Sequence, residues 1–543
     1  MKSSRWSLAG FALVLFVLFA PVSVLSETDA QSRIEEGESQ GPPAIEQLLP
    51  PQNLTPLSLR DALCIALTNS LDIQIQRYSP RISTVEVDVQ KGVFDPVAFF
   101  NATYVDTTVP LPSSVSIATG GLNAVEAEQW VLTGGVAGAL PSGLTYEATV
   151  ISEHTPMSTI TEFLGTSGQQ QFETVLSVSQ PLLKNFGIDV NTTGIRAAEI
   201  NKEASIALFE QAVIDTFFEV EQAYWNLVFA YKNLYVKLNS LNVAQNLLRE
   251  NRIRLRVGVV APLDVLQSET GVAFREEEVI VALSLLETAS DTLVSLINLF
   301  PEQMNWDLVV FPTDEVDFAP PDKYAEAEEI ATAFRSRRDL EALLLQREAG
   351  ELQAKFAKNQ LLPALNLNAT VGLIGLDEDF GVSLIQPPDI GIDPAADDLF
   401  SGDNFQWLLG FTFEMPLGRN FERGQYRVAN LTVSQLDSSI QNVRLLIIQD
   451  VRNALRQIAT TWERVQAARV TMDFRKKSLD AEKKRYEVGA TTTFDLLQFE
   501  EELAEAEARL VNAQADYRIA LSNLRRATGT LLQYLNVRVD IAS

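Results

Sequence analysis

Residues 425–528 contain no proline and a single glycine, Gly489. Such a stretch reads as a helical hairpin turning at that glycine, because glycine and proline are the strongest punctuation of local structure. The limb before Gly489 runs for about 60 residues, or about 90 Å at 1.5 Å per residue. A rod of that length does not fit inside one compact domain. Its apolar seam alternates four and three through Ile447, Val451, Ala454, Ile458, Thr461, Val465, Ala468 and Met472, with Leu479 and Tyr486 beyond. The return limb carries Leu496, Phe499, Leu503, Ala506, Leu510, Ala513, Tyr517, Ala520, Leu524 and Ala527 in the same rhythm, the signature of coiled-coil packing.

The same hairpin occurs earlier. Positions 231 residues upstream read Thr216, Val220, Ala223, Leu227, Ala230, Leu234, Lys237, Leu241, Ala244 and Leu248, a seam broken only at Lys237. The turn recurs too, with Val257, Gly258, Asp264, Leu266 and Gln267 falling on Val488, Gly489, Asp495, Leu497 and Gln498. At an offset of 267, Asp72 meets Asp339, Pro96 meets Pro363, and Asn101, Ala102 and Thr103 meet Asn368, Ala369 and Thr370. At 235, residues 181–186 (PLLKNF) lie on 416–421 (PLGRNF). Three matches in the same order argue for duplication, with the join in the proline-rich residues 311–322.

Before each rod the period changes from helical to two. Phe405, Trp407, Leu409, Phe411 and Phe413 alternate with Gln406, Leu408, Gly410, Thr412 and Glu414. Leu365, Leu367, Ala369 and Val371 alternate with Asn366, Asn368, Thr370 and Gly372, and Phe172, Leu176 and Val178 stand against Glu173, Ser177 and Ser179. A strand with one greasy face suits either the inside of a soluble sandwich or the lipid face of a membrane barrel. The amino terminus favours lipid. Lys2 and Arg5, an apolar run of 13 residues at 8–20, and Val24 and Ser26 at the small-residue positions of a cleavage site read as a secretory signal peptide over residues 1–26. That run is short of the roughly 20 residues a spanning helix needs. A closed β-barrel is the remaining way for the mature chain to cross a membrane.

Proline marks each passage between rod and strands: Pro96 and Pro363 lead in, Pro181 and Pro416 lead out. Lacking an N–H and fixed in φ, proline suits such joints. Two strands per half make four, and about eight are needed for the smallest filled barrel, so the chain must oligomerise. The first half also holds surplus β-like sequence at 129–153, with a Leu140-Pro141-Ser142-Gly143 turn and the alternation Leu144, Tyr146, Ala148, Val150, which reads as an extra hairpin. Residues 376–403 of the second half, acidic and proline-containing, read as an external loop.

Composition removes several functions. One His and one Cys leave no zinc cluster and no disulfide. Cys64 falls on an apolar helix face and reads as a core residue, while His154 reads as a loop residue. No glycine-rich phosphate loop precedes a helix, so an enzyme is the poorest reading and no cofactor is called for. A formal charge of −28, which becomes −30 when the signal peptide takes Lys2 and Arg5 with it, repels nucleic acid.

These features together resemble the TolC-like outer-membrane efflux proteins, over residues 58–532. The resemblance implies an α+β membrane protein: a homotrimer whose 12-stranded β-barrel, four strands per chain with a possible extra hairpin, continues into a long α-helical coiled-coil barrel. It divides the chain into a signal peptide (1–26), an extended tether (27–57), a first repeat (58–320) and a second repeat (321–543). Its implied partners are sister subunits, a periplasmic adaptor (membrane fusion protein), an inner-membrane transporter and outer-membrane lipid. It places adaptor docking at Val257, Gly258, Leu263, Val488, Gly489 and Phe494, and the periplasmic entrance at Asp264, Gln267, Asp495 and Gln498. Where the best-known relatives carry a second Asp and an Arg at the entrance, this chain has Gln498 and Thr491, with Glu500, Glu501 and Glu502 as candidate substitutes; an exposed acidic first turn also explains that run. The competing reading is a secreted coiled-coil stalk of the adhesin kind, which explains the heptads and the acidic surface but not the aromatic period-two segments.

Overall fold

The computed structural model describes residues 54–110, 124–156, 166–299, 309–314, 320–380 and 392–537. Residues 1–26, expected to be a signal peptide, and the expected tether before Leu54 lie outside them. The tether's last residues form strand β1 (Leu54–Leu57), and Ser58 caps helix α1 (Leu59–Asn69), its side chain accepting the Asp61 N–H at 3.1 Å. Helix α2 (Leu71–Lys91) follows, then strands β2 (Val97–Pro110), β3 (Ala124–Ala139), β4 (Thr145–Thr155) and β5 (Thr166–Pro181). The first hairpin is α3 (Thr193–Arg256) and α4 (Pro262–Ile297). Strand β6 (Val309–Pro312), in the join between halves, pairs in parallel with β1. The second half brings α5 (Glu326–Ser336), α6 (Arg338–Asn359), β7 (Ala364–Phe380), α7 (Ile392–Ser401), β8 (Phe405–Glu414), α8 (Asn420–Glu487) and α9 (Thr493–Thr528). Helices α1 and α5 are both 11 residues long and begin 267 positions apart, and α4 and α9 are both 36 residues long and begin 231 apart.

At 68 residues α8 is about 100 Å long. Its seam is buried where the sequence places it, at Ile447, Val451, Ala454, Ile458 and Val465, against Ala513, Tyr517, Ala520 and Leu524 of α9. In α3 the buried line runs through Phe217, Val220, Tyr224, Leu227, Leu234 and Leu238, facing Leu286, Leu293 and Ile297 of α4. Towards the tip Leu247 rather than Leu248 is buried, the drift expected when a 3.6-residue helix meets a 3.5-residue pattern. Lys237, the break in that seam, makes an ion pair with Glu278 on α4. Helix α4 is long and apolar enough by composition to span a bilayer, yet it folds back along α3 as the return limb.

Six strands form the main sheet, in the order β2-β3-β4-β5-β7-β8: the four expected and the extra hairpin. All neighbours are antiparallel. The surplus sequence is β3 and β4, paired in full register inside the sheet. Residues 376–403 are not a plain loop: β7 extends to Phe380, and α7 packs on it so closely that a Cβ on Gly375 would lie 2.1 Å from the Ala395 carbonyl oxygen. His154 belongs to strand β4, not to a loop, and Cys64 is exposed on α1, not in the core. The apolar neighbours Leu63 and Ala66 turn inward and take that core position instead.

Candidate conduit wall and helical tips

The sheet has two unlike faces, and register aligns them across all six strands. One row runs Ala98, Val136, Ala148, Leu176, Val371, Trp407; the next runs Phe100, Gly134, Val150, Thr174, Leu373, Phe405. Among the described residues, α7 packs on this face at Gly375 and most of the rest is uncovered. Trp407 is 70% exposed, Phe411 68% and Phe100 73%, a cost in water of roughly 25 cal/mol per Å² left uncovered. Tyr104 and Trp130 sit side by side at its far end, ring centroids 4.6 Å apart. The opposite face carries Glu147, Glu153, Gln171, Glu173, Ser177, Ser179, Asn368, Thr370 and Thr412. Polar links cross it, from Ser179 Oγ to Asn368 Oδ1 (2.7 Å), from Asn368 Nδ2 to Thr412 Oγ1 (2.8 Å) and from Gln406 Nε2 to Glu173 Oε1 (2.6 Å). Strands β2 and β8 are the outer strands, and β8 is exposed almost throughout.

The four prolines stand where strands meet helices. Pro96 and Pro363 each precede the first residue of a strand, Pro181 ends β5, and Pro416 follows β8 by two residues. The structure brings Pro181 and Pro363 together: Leu182 N–H donates to Leu365 O at 2.7 Å and Lys184 N–H to Pro363 O at 3.3 Å. Asn185 joins the two halves at the same level, its N–H donating to Asn359 Oδ1 at 2.8 Å.

At the far end of the rods, Gly258 and Gly489 have φ of +76° and +72°. No Cβ clash requires glycine there; the left-handed backbone does. Asp264 and Asp495 then start the return helices. Asp495 Oδ2 accepts from Thr492 Oγ1 at 2.7 Å, from Thr491 Oγ1 at 3.1 Å and from Thr492 N–H at 3.3 Å, and these bonds hold its carboxyl below the usual range. Asp264 Oδ2 accepts the Ala261 N–H at 3.0 Å. Val257, Leu263, Val488 and Phe494 surround these turns and are all exposed, Val488 at 78%. Gln267 is half-buried, and Gln498 is exposed and within 3.4 Å of Glu502 Oε1.

Just inside the tips lies a cluster that the sequence does not announce. Asn251 (α3) and Ser268 (α4) are fully buried. Tyr486 Oη (α8) donates to Asn251 Oδ1 at 2.5 Å, and Asn251 Nδ2 donates to Ser268 Oγ at 2.8 Å and to Thr493 Oγ1 (α9) at 3.2 Å. Thr493 Oγ1 in turn reaches Asp264 Oδ1 at 3.3 Å. Four helices are thereby joined through one buried polar knot. Buried Arg275 adds a second strap, donating to Ser240 Oγ and to the Leu497 carbonyl, each at 3.0 Å. The one trace in the sequence is a polar residue at an inward helix position.

The acidic run beside Asp495 is not an exposed first turn. Glu500 is 7% exposed and faces Lys483 at 3.6 Å, with one carboxylate oxygen unpartnered; burial pushes its pKa up against the opposing pull of Lys483 and Arg275. Glu502 pairs with Arg475. The Thr491 hydroxyl, shared between Asp495 and buried Glu482, lies beside a carboxylate that also takes Arg485 at 2.9 Å.

The outer membrane efflux protein family matches residues 137–299 and 330–530. Over 400 residues the chain is 26% identical to outer membrane protein TolC of Salmonella enteritidis, covering 66% of this chain and 77% of that one. Among solved structures, the outer-membrane channel OprN superposes with a TM-score of 0.62 at 17% identity, covering 87% of this chain and 90% of that one. The Campylobacter jejuni CmeC outer membrane channel gives 0.59 at 17%, covering 87% and 86%. At these identities the solved structures speak for the fold.

Proposed function

The chain belongs to the outer membrane efflux protein family, and from that premise we propose that three copies assemble into a passive conduit from the periplasm to the cell exterior. The observation that carries this reading is the uncovered aromatic face of a sheet whose two outer strands, β2 and β8, have no further partner among the described residues. A bilayer covers such a face, and closure with sister copies satisfies both edges. The helices carry a matching seam. On α2, Leu71, Ile75, Tyr78, Ile82, Val85 and Val89 recur at four and three and are all more than half exposed, as a coiled-coil stripe awaiting a neighbouring subunit would be.

In this reading the sheet lies in the outer membrane and the rods reach into the periplasm. The conduit does no chemistry; a partner transporter in the inner membrane supplies the energy, in an efflux pump or a type I secretion system. Exposed Val257, Leu263, Val488 and Phe494 around Gly258 and Gly489 form the surface on which a periplasmic adaptor docks. Asp264, Gln267, Asp495 and Gln498 lie just inside and line the entrance. The knot at Asn251 holds that entrance in the arrangement seen here. The prolines at 96, 181, 363 and 416 form the hinge between sheet and rods, and residues 58–320 and 321–543 act as two repeats of one plan.

Fractionation and mass test the assembly against a secreted stalk. The mature protein is expected in the outer-membrane fraction, needing detergent, with the mass of three chains. A buffer-soluble single chain would support the stalk instead.

A further inference from the structure

The hairpin β3–β4 has the construction of wall, not of loop. Its strands pair in register on both sides, from Pro110↔Ala124 to Val97↔Ala137 with β2 and from Thr145↔Ser179 to Thr155↔Gln169 with β5. Its turn is fastened at the level of the helices: Gly187 N–H donates to Ser142 O at 3.2 Å, and a Cβ on Gly143, whose φ is +91°, would lie 2.4 Å from the Asn185 carbonyl oxygen. Both strands carry the two-faced pattern of their neighbours. Trp130, Leu132, Val136 and Val150 continue the apolar rows, each between 40% and 49% exposed, beside Leu176 at 48% and Val371 at 53%. Glu147 and Glu153 continue the polar side. The apolar face continues in register as far as Val150 on β4, beyond which Ser152, His154 and Gln170 make it polar, with Gln170 Nε2 donating to Ser152 Oγ at 3.0 Å; over the shared apolar span the hairpin faces the same medium as its neighbours.

We propose that every copy gives six strands to the barrel, so that the exit through the outer membrane is an eighteen-stranded, acid-lined pore of porin width. The inference rests on the trimeric reading above. With strands 4.8 Å apart and tilted by about 40°, twelve strands make a cylinder about 24 Å across and eighteen one about 36 Å across. Barrels of sixteen to eighteen strands leave an open aqueous channel. Glu147 and Glu153 then add two carboxylates per copy to the lumen. An eighteen-stranded wall then encloses a passage wider than a twelve-stranded one.

Imaging the full mature protein in detergent by electron cryomicroscopy tests this. Eighteen strands in a wall about 36 Å across are expected. Twelve strands, with residues 129–153 folded outside the wall, would overturn the wide exit and leave the trimeric conduit standing, whereas a particle without a barrel would remove both. Cysteine labelling gives a second reading. With exposed Cys64 changed to Ser, a charged maleimide added to proteoliposomes is expected to modify Glu147→Cys and Ile151→Cys but not Ala148→Cys or Val150→Cys. Equal modification of all four would identify a solvated loop and overturn the proposal.

Discussion

Asn251 shows how one side chain holds two hairpins at a common end. Its amide joins Tyr486, Ser268 and Thr493 with no water-exposed surface of its own. Asn251→Ala leaves the Tyr486 hydroxyl and the Ser268 hydroxyl buried and short of a partner, at about 1–3 kcal/mol, and is expected to lower the thermal midpoint and to raise the conductance by loosening the tips. Glu500 acts in the opposite sense. Its raised pKa means that the folded state holds the proton more tightly than the unfolded chain, so its contribution to stability is full below the unfolded value and is lost as pH rises through the folded value. Glu500→Gln is therefore expected to melt higher than the natural protein at neutral pH, with the difference vanishing in acid. Neither residue was legible in the sequence for what it does. Asn251 looks like any polar residue on a rod, and Glu500 like one of three adjacent acids, because which side of a helix turns inward is decided by the second hairpin.

Among elements, the rods are written most plainly. An uninterrupted 3-4 alternation with glycine at one position leaves little but a hairpin, and the turn glycines stand where expected. With φ of +72° at Gly489, Gly489→Ala is expected to cost about 1–2 kcal/mol, read as a lower midpoint in thermal denaturation. The strands were legible by alternation, and their number only in part. Residues 129–153 announced a hairpin through the Pro141-Ser142-Gly143 turn, but its seat between β2 and β5 depends on pairing partners far along the chain, which alternation does not specify. The reading of 376–403 as a loop failed for a similar reason: a short helix was hidden until Gly375 supplied the flat surface on which Ala395 and Leu399 pack. His154 misled because Pro156 two residues on suggested a loop, where the strand in fact runs to Thr155.

For the whole molecule, the uncovered surfaces matter more than the cores. Each hairpin packs its own seam, yet among the described residues the sheet keeps an aromatic face and two unpaired edges, and α2 keeps an apolar stripe. These surfaces are what the proposed assembly with sister copies would cover. In the proposed passage the excess of acid, 71 against 43 basic residues, would give a negative field that favours cations. Current through a planar bilayer holding the purified mature protein tests the central claim most directly. Discrete, cation-selective steps are expected, with selectivity reduced when Asp264→Asn and Asp495→Asn are combined; protein that inserts and passes no current would contradict the account.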